Sequence, residues 1–244
     1  MATFNGAKFI REQLDSIICQ LGPKDEIVIS DDGSTDGTIS IIESYNDNRI
    51  RLLHHNKKPN HHKHAMAHYY VSENFENALL QAKGDYIYLS DQDDIWLPNR
   101  VALMQRALKS FDCVMCNRSN VDSALNIIKA RGLPDNYLCR KRRLNPFFTG
   151  FTGCQMAFTR RLLNNALPFP KDTCVHDAWI GKLAVALGYK TYFFNEPLIL
   201  YRVHENNVSD TTKQSKHNNP LIFRLSYRLK LIVDIYKRCR KINK

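Results

Sequence analysis

The spacing of apolar residues changes repeatedly along the first half of the chain, which predicts helices alternating with strands. Helical spacing marks four segments: residues 7–21, Ser34 or Thr35 to about Tyr45, 73–83, and Pro98 to about Phe111. Three strands are predicted: a short β-branched run at 26–30 marks a buried strand, and two more follow at 49–54 and 86–89. This alternation predicts an α/β fold with a parallel, doubly wound sheet.

The second half has a less regular pattern. The predicted elements are strand, turn and strand over 113–130, a basic loop over 132–150, a strand over 151–158, a short helix over 160–166, a helix over 176–187, and strands at 191–194 and 198–203. Apolar and basic residues then alternate at helical spacing over the last 25 residues. We expect this end of the chain to form a basic amphipathic helix.

Two acidic clusters directly follow predicted strands. Asp31-Asp32 comes after the first strand and Asp91-Gln92-Asp93-Asp94 after the third. Ligands of open α/β sheets bind beyond the carboxyl ends of the strands, so both clusters are expected to meet at one site. Adjacent carboxylates repel one another unless a cation lies among them, and carboxylate oxygens suit Mg²⁺ or Mn²⁺. The alternatives are a solvated acidic loop for the second cluster and a plain Asp-Gly turn for the first.

His176-Asp177 lies at the start of a predicted helix and has two interpretations. Asp177 is a good N-cap residue. It is equally well placed to act as a general base held near the metal site by the start of the helix. The pattern alone does not separate these two roles.

Composition is that of a globular protein, with 43% hydrophobic and 24% charged residues, but the net charge of +11 is unusual. Nucleic acid, an anionic membrane or a phosphorylated substrate would each account for it. The charge is concentrated at 140–143 and 220–244, and the strongest clusters are acidic, which argues against nucleic acid. Seven scattered cysteines, with no apolar signal segment, predict free thiols in the reducing cytoplasm. Cys113-x-x-Cys116 has no second pair with which to form a zinc site.

Several motifs occur in a specific order along residues 1–210. They are Ala2-Thr3-Phe4-Asn5-Gly6, Ser30-Asp31-Asp32-Gly33-Ser34-Thr35-Asp36-Gly37-Thr38, Asn74-Phe75, residues 82–96 around the second acidic cluster, Thr152-Gly153-Cys154, His176-Asp177-Ala178-Trp179 and residues 201–209. In combination they resemble the family 2 glycosyltransferases, most closely the bacterial branch of rhamnosyltransferases and O-antigen or capsule enzymes.

The resemblance implies a GT-A fold, which is Rossmann-like with a mixed, mostly parallel central sheet flanked by helices. It divides residues 1–210 into a nucleotide half at about 1–97 and an acceptor half at about 98–210. Residues 211–244 form the basic helical tail.

The resemblance also assigns roles to residues. It implies an inverting enzyme with Asp177 as general base and a Mn²⁺ or Mg²⁺ cofactor. The nucleotide contacts would be Thr3, Phe4, Asn5, Asp31, Asp32 and Asp91. The metal ligands would be Asp91, Asp93 and His204. The remaining donor and acceptor surroundings would be Asp94, Trp96, Gly153, Cys154 and His176.

The resemblance further implies substrates and a location. The donor would be a dTDP- or UDP-sugar, and the acceptor a glycan hydroxyl, with the glycan on an undecaprenyl carrier. The basic tail would lie on the anionic inner face of the plasma membrane, making the protein cytoplasmic and peripheral. The alternative is a tail that packs on the domain and presents a solvated basic face.

Two features depart from the family pattern. Only Met1 precedes Ala2-Thr3-Phe4-Asn5-Gly6, where the family has a complete first strand. Either Met1 is an internal residue of a longer protein whose start is misassigned, or the protein is N-terminally truncated, and a truncated, inactive protein is the alternative function. Residues 54–68 hold six of the nine histidines. This stretch is expected to form a polar loop over the nucleotide site, with metal binding as the other interpretation.

Overall fold

The first three strands form a parallel sheet with their carboxyl ends aligned. The computed structural model describes residues 1–57, 66–205, 207 and 220–242. Strand β1 (Ala2–Thr3) pairs with β2 (Ile27–Asp31), and β2 with β3 (Ile50–His54), in the order β1-β2-β3. Thr3 lies opposite Asp31, and Asp31 opposite His54. The loops that follow all three strands therefore open at one edge, as the alternating pattern predicted.

Three helices flank this sheet: α1 (Ile10–Ile18), α2 (Thr38–Glu43) and α3 (Met66–Gln81). Helix α1 buries Ile10, Leu14 and Ile17, the row that the helical spacing predicted. Helix α3 begins at residue 66, seven residues before the predicted start. Its first turns contain histidine and tyrosine, which are weak helix formers. Burial of Tyr69 and Ser72 shows that packing stabilises those turns.

The second sheet is mixed. Its strands are β4 (Tyr86–Tyr88), β5 (Ile95–Trp96), β6 (Cys113–Val121), β7 (Ile127–Lys129), β8 (Met156–Thr159) and β9 (Thr191–Arg202), in the order β4-β8-β6-β9-β5 with β7 beside β6. Only β6 and β9 pair in parallel among the described strands of this sheet. The mixed sheet is confirmed, but parallel pairing predominates only in the first sheet.

Two strand predictions in the second half need correction. The predicted strands at 191–194 and 198–203 are one strand, β9, whose pairing with β6 shifts register around Pro197. Proline lacks the N–H that a ladder needs, so the shift accommodates it within a continuous strand. The predicted strand at 151–158 is instead a short 3-10 helix at Gly153–Gln155 followed by β8.

The second sheet is covered by α4 (Arg100–Leu108), α5 (Arg140–Leu144), α6 (Arg160–Ala166), α7 (His176–Ala186) and α8 (Leu221–Ile242). Helix α5 lies within the segment predicted as a loop. Helix α7 buries residues all round, including Trp179 and Leu183. Leu231 of α8 packs into the same core. No described helix is both long and apolar enough to span a bilayer.

Polar side chains bridge the two sheets. No ladder of backbone hydrogen bonds joins β1 to β4 within the part of the chain that the structure describes. Instead Gln13 Nε2 of α1 donates to Ser90 Oγ in the loop after β4 (2.8 Å), and Gln92 of that loop makes two hydrogen bonds to the backbone of Phe4 in the loop after β1. The loops after β1 and β4 therefore lie side by side, held by amide groups.

Candidate active site

The loop after β1, residues Phe4–Gly6, lies on the turn after β2. Asn5 adopts a positive φ of 48°, which asparagine tolerates better than most residues. Its N–H donates to Ser34 Oγ (2.8 Å), and its Oδ1 accepts from the Thr35 N–H (2.8 Å). Phe4 is 47% exposed at the front of this loop. Phe4 and Asn5 thus line the edge where a nucleotide was predicted.

Asp31 is fully buried and its carboxylate is used by its own turn. One oxygen accepts from Thr3 Oγ1 (2.8 Å) and Ser34 Oγ (2.6 Å), and the other from the N–H groups of Gly33 (3.0 Å) and Ser34 (2.7 Å). Asp31 and Thr3 therefore shape the loop from within. A direct contact with the nucleotide would require breaking one of these bonds.

Asp32 meets two basic groups from the loop after β3. His55 Nδ1 lies 2.7 Å from one carboxylate oxygen, and Lys57 Nζ lies 3.1 Å from the other. The Lys57 ammonium also lies over the rings of Phe4 (4.4 Å) and Tyr70 (4.2 Å). This arrangement places a cation beside the loop expected to hold the nucleotide.

Asp91, Asp94 and Cys154 bring their ligand atoms within 4.8 Å of one another. Burial and the neighbouring charges of Asp93 and Asp177 raise the pKa of Asp91 to about 7. Burial and the same kind of repulsion raise the pKa of Asp94 well above its usual range. Oδ2 of Asp94 is buried and, among the described residues, has no hydrogen-bond partner. Crowded carboxylates with an unsatisfied oxygen are a donor set that fits a hard divalent cation.

The carboxylate of Asp93 lies 2.8 Å from His204 Nε2. Arg202, buried at the end of β9, supports this loop: its N–H donates to Asp94 Oδ1 (3.1 Å) and its Nε to the Asp93 carbonyl (2.9 Å). Its guanidinium also donates to Glu12 (2.5 Å). The end of β9 thus fixes the second acidic cluster and brings His204, predicted as a metal ligand, against Asp93.

Gln92 joins the second acidic cluster to the loop after β1. Its Oε1 accepts from the Phe4 N–H (2.8 Å), and its Nε2 donates to the Phe4 carbonyl (3.0 Å). A Cβ on Gly6 would come within 2.4 Å of Gln92 Oε1, so glycine leaves room for this pairing. The second acidic cluster therefore lies against the loop after β1, which in turn lies on the turn that follows Asp31 and Asp32.

Asp177 is the second residue of α7, whose N-cap position is taken by Val175 without a side-chain bond. The N-cap interpretation of Asp177 is therefore wrong. Its carboxylate accepts from the N–H groups of Gly153 (2.8 Å) and Ala178 (2.7 Å). Burial raises the pKa of Asp177 to about 6, against the opposing effect of these N–H donors. Asp177 is thus ionised at neutral pH yet basic enough to accept a proton.

His176 and Trp96 pack in the interior. The His176 ring stacks on Phe75 with centroids 4.2 Å apart, and burial lowers its pKa to about 3, so it is neutral. A Cβ on Gly153 would lie 3.0 Å from His176 Nε2, so His176 and Gly153 fit against each other behind Asp177. Trp96 is 5% exposed and packs against Tyr88. The structure gives Trp96 a packing role beneath the acidic loop instead of a place in the donor or acceptor site.

The sequence gave no individual role to four residues of the site: His55, Lys57, Gln92 and Arg202. Gln92 and Arg202 lie inside motifs already singled out, so the signal was their position in those motifs. His55 belongs to the histidine-rich stretch, of which His61, His62 and His64 lie outside the described residues. Lys57 has no sequence signal beyond its place after a predicted strand.

Comparison with known proteins agrees with this geometry. The sequence pattern described as "Glycosyl transferase family 2" matches residues 1–167. The dTDP-rhamnosyl transferase RfbG of Shigella flexneri is 32% identical over 223 residues, which cover 85% of this chain and 72% of RfbG.

Two solved structures have the same fold. TarS of S. aureus in complex with UDP is 18% identical with a TM-score of 0.66, over 96% of this chain and 63% of that one. The mannosyltransferase PcManGT of Pyrobaculum calidifontis in complex with GDP-Man and Mn²⁺ is 22% identical with a TM-score of 0.56, over 98% and 62%. This chain thus spans under two thirds of each. The similarity confirms the GT-A fold, and with the matched family pattern it shows that this chain belongs to glycosyl transferase family 2.

Proposed function

We propose that this protein transfers a sugar, with inversion, from a dTDP- or UDP-sugar to a hydroxyl of a glycan acceptor in the synthesis of a bacterial surface polysaccharide. The observation that carries the proposal is geometric: the Asp177 carboxylate accepts from the Gly153 N–H (2.8 Å), and ligand atoms of the next residue, Cys154, and of Asp91 and Asp94 lie within 4.8 Å of one another. This arrangement supports a base beside a cluster that would hold a metal diphosphate.

The donor would bind along the aligned loops after β1, β2 and β4. The exposed ring of Phe4 offers an apolar surface for the base, and Asp32 offers a hydrogen-bond acceptor if His55 or Lys57 gives way. The name of the Shigella relative supports a dTDP-linked donor, and the UDP complex of TarS supports a uridine donor. The choice between them is left to experiment.

Asp91 and Asp93, with Asp94 and His204 beside them, would hold a Mn²⁺ or Mg²⁺ ion. Such an ion, when bound, neutralises the charge of the departing nucleoside diphosphate. The Mn²⁺ complex of PcManGT supports this assignment. The protein's own contribution is to hold these carboxylates close together in a buried place. Burial and their mutual repulsion raise the pKa of Asp91 and Asp94, and a bound cation would relieve that repulsion.

Asp177 would act on the acceptor. One carboxylate oxygen takes the proton from the acceptor hydroxyl as that oxygen attacks the anomeric carbon. The new glycosidic bond forms while the bond from the anomeric carbon to the diphosphate oxygen breaks, and the electron pair leaves with the diphosphate. Attack from the face opposite the leaving group inverts the anomeric centre. The Gly153 N–H keeps the base oriented for this transfer (2.8 Å).

The test is a transfer assay with dTDP-rhamnose, UDP-glucose and UDP-N-acetylglucosamine, using lipid-linked glycans from bacterial membranes as acceptors. We expect one donor to be consumed and the product to have inverted anomeric configuration by NMR. A product of retained configuration would contradict the role of Asp177. A folded protein that binds none of the donors and transfers none of the sugars would support the inactive alternative.

A further inference from the structure

Helix α8 exposes a continuous apolar row on the side that faces away from the described part of the domain. Five residues spaced three or four apart form this row, which we call the α8 stripe: Ile222, Leu225, Leu229, Val233 and Tyr236. Their exposed fractions are 82%, 51%, 53%, 48% and 62%. At 1.5 Å per residue, the row is about 21 Å long. Exposed apolar rows of this length mark interaction surfaces.

The opposite side of α8 is already fixed to the domain. Leu231, Ile235 and Cys239 pack against the core around α7. The guanidinium of Arg238 lies 5.3 Å from the Trp179 ring centroid and donates to the carbonyls of Asn165 (2.7 Å) and Leu167 (3.0 Å). The expectation that the tail packs on the domain is therefore correct for this side only. It leaves the α8 stripe facing outward on a helix anchored next to α7, which carries Asp177.

Cations surround the α8 stripe. Between Leu221 and Ile242 the helix carries seven Lys or Arg side chains and one acid, Asp234, which pairs with Lys230 (2.5 Å). Towards the end of the helix, an open depression is lined by residues of both kinds: Val233, Tyr236, Lys237, Arg240 and Lys241. Protein interfaces are depleted in charge at their centres, whereas an apolar row bordered by Lys and Arg matches lipid chains bordered by anionic headgroups.

We propose that the α8 stripe and its flanking cations bind the surface of an anionic lipid bilayer. Apolar side chains enter the boundary between headgroups and acyl chains, while Lys237, Arg240 and Lys241 contact lipid phosphates. Because α8 is fixed against α7, binding sets the orientation of the active site relative to the membrane. The proposal concerns a surface outside the active site and does not depend on the donor or acceptor.

The test is sedimentation of the full chain with vesicles of phosphatidylglycerol and phosphatidylcholine, compared with vesicles of phosphatidylcholine alone. We expect binding to the anionic vesicles that weakens with added salt. The double variant Leu225→Glu/Leu229→Glu should lose at least about tenfold in partition, because it places charge in the apolar boundary. Leu80→Glu/Ile127→Glu adds the same charge at exposed apolar positions elsewhere and should bind like the wild type.

A second pair of variants distinguishes the effect on vesicle binding of cations on α8 from the effect of the protein's net charge. Lys237→Gln/Arg240→Gln/Lys241→Gln should weaken binding by about fivefold for each cation removed. Lys24→Gln/Arg106→Gln/Lys109→Gln removes three exposed cations elsewhere and should have a much smaller effect.

Three outcomes would overturn the proposal. One is equal binding to both kinds of vesicle, or to neither. Another is unchanged partition of Leu225→Glu/Leu229→Glu. The third is a wild-type dimer, seen by light scattering, that the same double variant converts to monomers, since the α8 stripe would then be a contact between two copies. Thermal unfolding followed by circular dichroism checks that each variant is folded, whether or not it binds nucleotide or transfers sugar.

Discussion

Replacing Gln92 by leucine tests how the two loops of the site are held together. The side chain makes two hydrogen bonds to the backbone of Phe4, at 2.8 and 3.0 Å. No backbone hydrogen bonds join β1 to β4 among the residues that the structure describes. The side-chain amide of Gln92 therefore supplies hydrogen bonds between the loops that follow these two strands. Leucine has similar size and neither hydrogen-bonding group.

The expected magnitude follows from these two bonds. Each contributes about 0.5–1.5 kcal/mol net, and the lower part of that range applies because Gln92 is only half-buried. A total of about 1–2 kcal/mol corresponds to about 5- to 30-fold weaker nucleotide binding, if the bound state needs both loops in place. We expect the loss in the dissociation constant for the nucleotide, with kcat at saturating donor changed much less.

Calorimetric titration with nucleotide and Mn²⁺ measures this effect. Gln20→Leu is the matched control, because Gln20 also makes two backbone bonds, to Val101 N–H (3.2 Å) and the Ser16 carbonyl (2.8 Å), away from the site. Gly6→Ala should mimic Gln92→Leu, since its Cβ would displace the Gln92 amide, and the two changes should not be additive. Wild-type affinity in Gln92→Leu, with a loss of thermal stability equal to that of Gln20→Leu, would refute the reasoning.

Four further predictions concern Asp177, its surroundings and Arg202. Asp177→Asn should lower kcat by about 10²- to 10⁴-fold while leaving nucleotide affinity unchanged, and near-wild-type turnover would exclude it as the base. Because burial raises the pKa of Asp177 to about 6 and the base must be ionised, wild-type kcat should fall as the pH drops through about 6; a flat profile down to pH 5 would contradict this. Gly153→Ala would place a Cβ 3.6 Å from the Asp177 Cβ and 3.0 Å from His176 Nε2, so kcat should fall more than nucleotide affinity. Arg202→Lys should lower the free energy of unfolding by about 2–4 kcal/mol in urea titration, because lysine cannot reach the several acceptors of the guanidinium. The control Arg131→Lys changes an exposed ion pair and should alter the free energy of unfolding by under about 1 kcal/mol.

The pattern of apolar residues was sufficient to predict strands β2 and β3 of the first sheet. It failed for elements whose extent depends on contacts with distant parts of the chain. Strand β2 contains a short β-branched run and is buried throughout, as its composition predicts, and β3 beside it is half-buried. Two strands were predicted where β9 is one, because pairing with β6 continues on both sides of Pro197. The first turns of α3 have no helical pattern in the sequence. They are helical because the buried side chains of Tyr69 and Ser72 pack against distant parts of the chain.

For the site, position after a strand was the informative signal. It predicted that Asp31, Asp32 and the second acidic cluster would lie at one edge of the fold, and the contacts of Gln92 with Phe4 and of Asn5 with Ser34 link the loops that carry them. The position after a strand did not predict that the hydrogen-bonding capacity of the Asp31 carboxylate is used within the protein. That outcome depends on the hydroxyls of Thr3 and Ser34 reaching the carboxylate. The bridge formed by Gln92 depends likewise on the contact between two loops 88 residues apart.

The central claim is that the acidic cluster and the loops after β1 and β2 form one metal-dependent nucleotide site. Calorimetric titration of the purified protein with dTDP and with UDP, each with and without Mn²⁺, tests it most directly. We predict saturable binding of at least one nucleotide in the presence of Mn²⁺, weakened strongly by chelation and by Asp93→Ala. Binding that is unaffected by Mn²⁺ and by Asp93→Ala, or no binding of either nucleotide by a folded sample, would contradict the account.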